Sequence, residues 1–317
     1  MRVLVTGGAG YIGSHTARYL RQAGHLPVVF DDLSTGHGEF ARFGPLVYGD
    51  VRDERSVREA LRAHRIEAVI HFAAKSLVSE AMSIPERYLE TNVGGTISLL
   101  AAMRESGVQR LVFSSSAALY GAPAVLPIAE SLPPAPVNPY GLSKWMAEQA
   151  IAATAPAFGL RWASLRYFNV IGAERDQGLW EWHTPETHVV PNLLSAAREG
   201  RPFRLFGTDF PTPDRTAVRD YVDVRDLAAV HLEALARLDQ VPSFISNVGR
   251  GVGVSVRQLL QDAGRAWNLP IAVEEQPRRP GDPHSLVADN SLVLTWSQTA
   301  RQGLRPLEDS LQSIVRC

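Results

Sequence analysis

The first 116 residues alternate short apolar segments with segments of helical periodicity, and this alternation restricts the fold more than any other feature of the chain. The apolar segments have the length and the Val, Ile, Leu and Phe content of buried strands: RVLVT (2–6), LPVVFDD (26–32), LVYGD (46–50), EAVIHFAA (67–74) and QRLVFSSS (109–116). Helical spacing occupies 11–24, 55–65 and 88–107. Strands that alternate with helices predict βαβ units and, with right-handed crossovers, a doubly wound parallel sheet.

The pattern changes after about residue 168, and we predict a domain boundary there. Residues 172–215 are rich in Gly, Pro, Trp and charge, whereas 221–238 again has the pattern of a strand followed by a helix. We therefore predict a nucleotide-binding domain over 1–168, to which the segment 220–248 returns, and a smaller, irregular α/β lobe over 169–317. A cleft between the two lobes is the expected site.

The glycines of TGGAGYIGSH (6–15) lie between the first predicted strand and the first predicted helix. Gly7, Gly10 and Gly13 allow a tight turn and a close approach of the backbone to a diphosphate, which then meets the helix N-terminus. Asp31 ends the next strand, where a carboxylate accepts hydrogen bonds from ribose hydroxyls and repels a 2′-phosphate, and this favours NAD over NADP. A structural turn and ordinary strand-end acids, Asp31 and Asp50, are the alternative explanation.

A tyrosine and a lysine lie four residues apart in NPYGLSKWMAEQ (138–149). If a helix begins here, Tyr140 and Lys144 project from one face. A nearby ammonium, together with the positive nicotinamide ring of a bound cofactor, lowers the pKa of a tyrosine, and Tyr140 would then serve as general base or acid. Ser116 ends the strand segment FSSS (113–116), at the sheet edge that faces ligands in doubly wound folds. Chance pairing on a helix surface and turn chemistry at a strand end are the alternatives.

Composition excludes several other classes of protein. The formal net charge of −1 suggests attraction neither to nucleic acid nor to a membrane surface. The single cysteine, Cys317, excludes an internal disulfide and a cysteine metal site, and the nine histidines show no H-x-x-x-H spacing, so no metal site is predicted. Met1 and Arg2 lead directly into a strand, and no apolar run reaches ~18 residues. A soluble, cytoplasmic protein is the simplest expectation.

The motifs TGGAGYIGSH, DDLSTGH, HFAA, FSSSAALYG, NPYGLSK, LRYFN, VRDYV and RRPGDP, in this order, resemble the extended short-chain dehydrogenase/reductase family over nearly the whole chain. The resemblance implies a Rossmann-type domain with bound NAD and a UDP-sugar substrate. It further implies inversion at C4 of the sugar, which interconverts UDP-galactose and UDP-glucose through a 4-keto intermediate. A homodimer through helices that include 88–106 and 143–155 is also expected.

The resemblance implies roles for particular residues. Tyr140, Lys144 and Ser116 are expected to be catalytic. Cofactor contacts are expected at Gly7, Gly10, Tyr11, Ile12, Gly13, Asp31, Asp32, Asp50, Val51, Phe72, Ala73, Ala74, Asn92, Ser114, Tyr140, Lys144 and Tyr167. Substrate contacts are expected at Ser116, Tyr140, Asn169, His188, Phe206, Arg219, Tyr221, Arg279 and Asp282.

Rival functions differ in a few residues only. A nucleotide-sugar 4,6-dehydratase would carry an Asp-Glu pair after the strand-end hydroxyl, where this chain has Ala117 and Ala118. Other 4-epimerases, acting on UDP-N-acetylhexosamine, UDP-pentose or UDP-glucuronate, keep the same catalytic residues. A non-catalytic dinucleotide sensor would not need Ser116, Tyr140 and Lys144. Whether Lys75 or Ser76 contacts the diphosphate is left open.

Overall fold

A computed structural model describes residues 1–279 and 281–315. Cys317, the single cysteine of the chain, lies outside the described residues. The strands are β1 (Arg2–Thr6), β2 (Leu26–Asp31), β3 (Leu46–Tyr48), β4 (Ala68–His71), β5 (Arg110–Ser116), β6 (Arg161–Tyr167), β7 (Asn169–Ile171), β8 (Phe203–Phe206), β9 (Val218–Asp223), β10 (Ser243–Val248), β11 (Gly253–Ser255), β12 (Val273–Gln276) and β13 (Ser285–Leu286).

Helices follow β1, β3, β4 and β5 in the first part of the chain, as the alternation predicts. The helices are α1 (Tyr11–Gln22), α2 (Glu54–Ala63), α3 (Val78–Ser83), α4 (Pro85–Tyr88), α5 (Gly95–Ser106), α6 (Pro139–Thr154), α7 (Val189–Glu199), α8 (Val224–Arg237), α9 (Val256–Trp267), α10 (Ser291–Trp296), α11 (Gln298–Gln302) and α12 (Leu307–Val315). Within the described ranges, none of them combines the length and the apolar character that crossing a membrane requires.

Seven parallel strands form the main sheet in the order β10-β6-β5-β4-β1-β2-β3. The strand order reverses beside β1, as in doubly wound folds, and ligands bind at the carboxyl ends of the strands near such a reversal. Side chains of α1 and α8 cover one face of the sheet, and those of α2, α5 and α6 cover the other. The predicted doubly wound α/β fold is confirmed.

A second lobe packs around a four-stranded sheet in which β9 pairs with β7, β11 and β13. A two-stranded parallel sheet, β8 with β12, adjoins it, and the apolar sides of α7, α9 and α12 share one hydrophobic cluster with these strands. The segment 220–248 divides between the lobes, because β9 belongs to the small sheet whereas α8 and β10 belong to the main one.

The predicted helix over 88–107 is broken in the structure. A π-helical turn, Leu89–Gly94, separates α4 from α5. The side chain of Asn92 in this turn is buried and bonds to both backbone polar groups of Lys75 and to Ser143 Oγ. The wider turn therefore brings an amide side chain to the loop that follows β4.

Candidate active site

A cavity of about 1740 Å³ lies between the carboxyl ends of the main-sheet strands and the second lobe. Every predicted cofactor and substrate residue except Asn92 contributes to its wall. Asn92 lies behind the wall, where it holds the backbone of Lys75. Both Lys75 and Ser76 face the cavity, so either side chain is placed to contact a diphosphate. The two lobes thus bring together residues that are separated by up to 275 positions in the chain (Gly7 to Asp282).

The glycine loop provides the narrow cradle that a diphosphate needs. Gly7 has a φ of +69°, and a Cβ there would lie 2.6 Å from the backbone nitrogen of Ala73. A Cβ on Gly13 would lie 2.2 Å from the carbonyl oxygen of Gly7. No side chain caps the start of α1, which therefore presents free backbone N–H groups to the cavity. These residues fit a dinucleotide cofactor.

Three acids line the neighbouring part of the cavity. Asp31 is buried, and its two carboxylate oxygens accept hydrogen bonds from the backbone nitrogens of Ala9 and Leu33, both at 2.9 Å. Burial raises the pKa of Asp31, and these two hydrogen bonds oppose the rise. Asp32 accepts from Ser34, whereas Asp50 forms an ion pair with Arg52 at 2.6 Å. Asp31 thus also fixes the glycine loop against β2.

The start of α6 positions the predicted catalytic pair. Asn138 caps this helix by accepting a hydrogen bond from the backbone of Gly141 at 2.8 Å, and Pro139 occupies the first turn, where its missing N–H costs nothing. Tyr140 and Lys144 then lie one turn apart and both face the cavity. Lys144 is buried and donates from Nζ to the carbonyl oxygen of Ser114 at 2.8 Å.

Burial dominates the titration of this pair. Burial raises the pKa of Tyr140, and its hydrogen bond with Ser116 lowers it. Burial lowers the pKa of Lys144 to about 7, while Glu148 opposes that change. The sequence predicts that Lys144 and the nicotinamide ring together lower the pKa of Tyr140. In the protein without cofactor, burial of Tyr140 outweighs its hydrogen bond with Ser116 and raises this pKa.

Tyr167 and His71 lie beneath the pair. The hydroxyl of Tyr167 hydrogen-bonds to Ser114 Oγ, and burial raises the pKa of Tyr167. His71 lies between Thr6 Oγ1 at 2.6 Å and Thr96 Oγ1 at 3.2 Å. Burial lowers the pKa of His71 to about 3, so this histidine is neutral. The sequence analysis named Tyr167 but missed His71, which is a supporting residue.

Basic and aromatic residues of the second lobe line the other part of the cavity. Arg219 forms an ion pair with Asp282, and the guanidinium of Arg279 lies 4.0 Å from the ring centre of Phe206. Both arginines face the cavity. Arg219 lies on β9 and Arg279 on the segment that follows β12, so both are far from Tyr140 in the sequence. Planar guanidinium groups held in this way suit phosphate oxygens. Asn169, His188 and Tyr221 complete the predicted substrate wall.

One cluster, three of whose residues line the cavity, was not predicted. Glu181, His183, Glu186 and His188 place one ligand atom each within 4.8 Å of one another. The segment that carries them begins with Trp180 and Trp182, which pack on Phe40. The sequence E-W-H-T-P-E-T-H could have revealed the cluster, because four donor residues fall within eight positions.

Comparison with known proteins identifies the family. A model described as the NAD dependent epimerase/dehydratase family matches residues 3–249. The chain belongs to this family.

Individual relatives are similar over almost their full length. The chain is 44% identical over 301 residues to a UDP-glucose 4-epimerase of Rhizobium leguminosarum bv. trifolii, covering 93% of this chain and 91% of that protein. The crystal structure of UDP-glucose 4-epimerase from Brucella ovis in complex with NAD has a TM-score of 0.92 at 42% identity, covering 99% and 96% of the two chains. A Stenotrophomonas maltophila UDP-glucose 4-epimerase with bound NAD and formylated UDP-arabinopyranose has a TM-score of 0.93 at 37% identity, covering 99% and 96%.

Proposed function

We propose that this protein is an enzyme, an NAD-dependent 4-epimerase that interconverts UDP-galactose and UDP-glucose. The observation that carries the proposal is the convergence of Ser116, Tyr140 and Lys144 on a cavity whose opposite wall holds Arg219 and Arg279. Relatives named UDP-glucose 4-epimerase support it, because they are similar to this chain over nearly their whole length. The predicted NAD cofactor is confirmed by membership in an NAD-dependent family.

The chain's own residues perform the proton transfer. When bound, NAD supplies the redox partner for oxidation and reduction at C4 of the sugar. Tyr140 takes the proton of the 4-hydroxyl as that carbon becomes a ketone, and gives it back when the alcohol re-forms. Ser116 hydrogen-bonds to Tyr140 and positions its hydroxyl. Lys144 is fixed by the Ser114 carbonyl, and in its protonated form its charge would stabilise the phenolate.

Inversion requires that the sugar turn over while the rest of the substrate stays in place. We assign the anchoring to Arg219, Arg279 and the wall around Phe206, on the second lobe. Asp282 pairs with Arg219 and keeps its guanidinium in position. Anchors remote from the reacting carbon supply the orientation that catalysis needs.

The test is turnover of a panel of UDP-sugars by the purified protein, with products separated by chromatography. UDP-galactose and UDP-glucose should reach the same equilibrium mixture from either side. The panel includes UDP-N-acetylglucosamine, UDP-xylose and UDP-glucuronate as rival substrates. If one of these is turned over and UDP-galactose is not, the family holds and the substrate assignment fails.

We further propose a homodimer, and a cytoplasmic role in galactose metabolism. Ile97 on α5 and Met146 on α6 are exposed apolar side chains on the two helices named for the interface. Burying such residues against a second copy would remove apolar surface from water. Analytical ultracentrifugation of wild type against Ile97→Glu tests the proposal, since a charge on the proposed interface should give monomers. A wild-type monomer would contradict it.

A further inference from the structure

We propose that Glu181, His183, Glu186 and His188 form a divalent-cation site specific for zinc-like metals, which fixes the segment 180–188 over the cavity. The cluster mixes two imidazoles with two carboxylates, and the ligand atoms of all four residues lie within 4.8 Å of one another. This site is separate from the groups that move protons at the sugar, and it does not depend on which sugar is turned over.

Each imidazole of the cluster lies close to both carboxylates and to the other imidazole. His188 Nδ1 lies 3.0 Å from Glu181 Oε1, 3.3 Å from His183 Nδ1 and 3.5 Å from Glu186 Oε1. His183 Nδ1 lies 3.8 Å from Glu181 Oε1 and 3.7 Å from Glu186 Oε2. A ring nitrogen that carries at most one hydrogen cannot bond well to three partners. A cation at the centre would satisfy all four groups together.

The spacing is close to that of tetrahedral coordination. In a regular tetrahedron two ligand atoms are separated by about 1.63 times the metal–ligand distance, so bonds of about 2.0–2.2 Å place them roughly 3.3–3.6 Å apart. Five donor-atom pairs in the cluster lie 3.0–3.8 Å apart, counting both oxygens of Glu186, and the four ligand atoms all lie within 4.8 Å of one another. Binding of a metal would therefore need only a small inward movement of these side chains. Backbone nitrogens of Thr187 and His188 each donate at 2.8 Å to Glu186 Oε1, which orients this carboxylate as hydrogen bonds do around metal ligands.

The donor set selects among metals. Imidazole nitrogen with carboxylate oxygen in tetrahedral geometry suits Zn²⁺, whereas Mg²⁺ and Ca²⁺ take six or more oxygen ligands. Four protein ligands fill a tetrahedral site and leave no open position for substrate or water. The site is therefore structural, and its metal would not take part in the reaction.

The position of the cluster indicates what such a metal would hold. His188 precedes α7, whose first residues face the cavity. At the other end of the segment, the ring of Trp182 stacks on that of His37 at 4.0 Å, and the backbone of His37 donates to the carbonyl of Ala9 in the glycine loop. A metal here would cross-link the segment 180–188 and so join the start of α7 to the cofactor side of the cavity.

Zinc binding is tested on the full-length, untagged protein after treatment with a chelator and dialysis. Titration with Zn²⁺ against a chromophoric chelator should give one metal per chain, and Co²⁺ should produce the intense visible absorption of tetrahedral coordination. His183→Gln should weaken Zn²⁺ binding at least about 100-fold, because even the loss of a supporting group costs 10–100-fold. His64→Ala, at the end of α2, is the matched control and should bind as the wild type does.

Zn²⁺ should also raise the melting temperature of the wild type and of His64→Ala but not that of His183→Gln. Glu186→Gln serves as a second variant if His183→Gln does not fold. Binding below one metal per chain at micromolar Zn²⁺, an octahedral Co²⁺ spectrum, or equal affinity in His183→Gln and His64→Ala would each overturn the proposal. None of these measurements uses sugar turnover. The metal-site proposal can therefore be refuted while the proposed epimerase activity holds, and the epimerase activity can be refuted while the metal site holds.

Discussion

At the scale of single residues, the meeting of Tyr140, Lys144 and Ser116 could be predicted, but the electrostatics of these groups could not. The spacing of Tyr140 and Lys144 and the hydroxyl of Ser116 identify which groups meet, because helix and strand geometry fix their directions. The degree of burial depends on the surrounding fold, and burial decides the pKa of both Tyr140 and Lys144. Local sequence patterns contain no information on that desolvation.

Tyr140→Phe removes the hydroxyl that transfers the proton and keeps the ring. The ring packs edge-on against Tyr88 at 6.5 Å, and Phe preserves that contact. We expect an unchanged fold and cofactor content with at least a ~100-fold loss of kcat, the contribution typical of general acid–base catalysis. Steady-state kinetics with UDP-galactose, together with the absorbance of bound NAD, measure both quantities. Turnover near the wild-type rate would remove Tyr140 from the mechanism.

Lys144→Met tests the lowered pKa of the lysine. Burial lowers this pKa to about 7, whereas a lysine of the unfolded chain titrates near ~10.4. Between these values the unfolded chain binds the extra proton, so the contribution of Lys144 to the free energy of unfolding rises with pH, by up to about 1.4 kcal/mol per unit. Below pH 7 both states are protonated and the contribution is constant.

The measurement is urea unfolding of wild type and Lys144→Met, both without cofactor, at several values between pH 6 and 9. Other titrating groups are common to the two proteins and cancel in the difference between them. That difference should be flat below pH 7 and move in favour of the wild type above it. A difference that stays flat over the whole range would show that the folded protein keeps Lys144 as an ammonium.

At the scale of elements, the bounds of the strands were predicted within a few residues. The contacts between segments that are far apart in the sequence were not predicted. β1, β2 and β5 match the apolar segments because a strand buried on both faces needs a continuous apolar run. The π-helical turn Leu89–Gly94 depends on the contact of Asn92 with the loop after β4, which no local periodicity encodes. For the same reason β9 resembles a main-sheet strand in sequence but pairs in the small sheet.

Asp31→Ser, at the end of β2, tests the choice of cofactor. Loss of the carboxylate should relax the selectivity for NAD over NADP, because the charge no longer repels a 2′-phosphate. The variant should also lose stability, by about 1–3 kcal/mol, since the backbone nitrogens of Ala9 and Leu33 lose their acceptor. Calorimetric titration with each dinucleotide and urea unfolding measure the two effects. Equal binding of both cofactors by the wild type would contradict the assignment.

At the scale of the whole molecule, the cavity exists only because the two lobes meet. Neither Arg219 nor Arg279 lies near Tyr140 in the sequence, and motif resemblance alone placed them in one site. The structure supplies what the motifs do not contain, which is the pairing of Arg219 with Asp282 and the joining of the lobes through Trp182 and His37.

UDP alone should raise the melting temperature, because a ligand that binds only the folded protein stabilises it. Arg279→Ala should reduce this shift, since its guanidinium lies against Phe206 in the cavity wall. Arg278→Ala is the matched control: its guanidinium also stacks on a phenylalanine, Phe210 at 4.3 Å, but the residue does not line the cavity. The same shift in both variants would exclude Arg279 from the UDP site.

The fate of the hydrogen on C4 tests the whole reaction. Bound NAD would accept the hydrogen that leaves C4 and return it to the same carbon, so this hydrogen would not exchange with water. C4-deuterated UDP-galactose in ordinary water should then give UDP-glucose that retains its deuterium, as measured by mass spectrometry, and no added NAD should be consumed.

A dehydratase would release water and take up solvent hydrogen at C5, and a simple dehydrogenase would accumulate an oxidised sugar. Ala117 and Ala118, in place of an Asp-Glu pair after Ser116, argue against the dehydratase. Loss of the label during conversion would contradict the 4-epimerase mechanism for this protein.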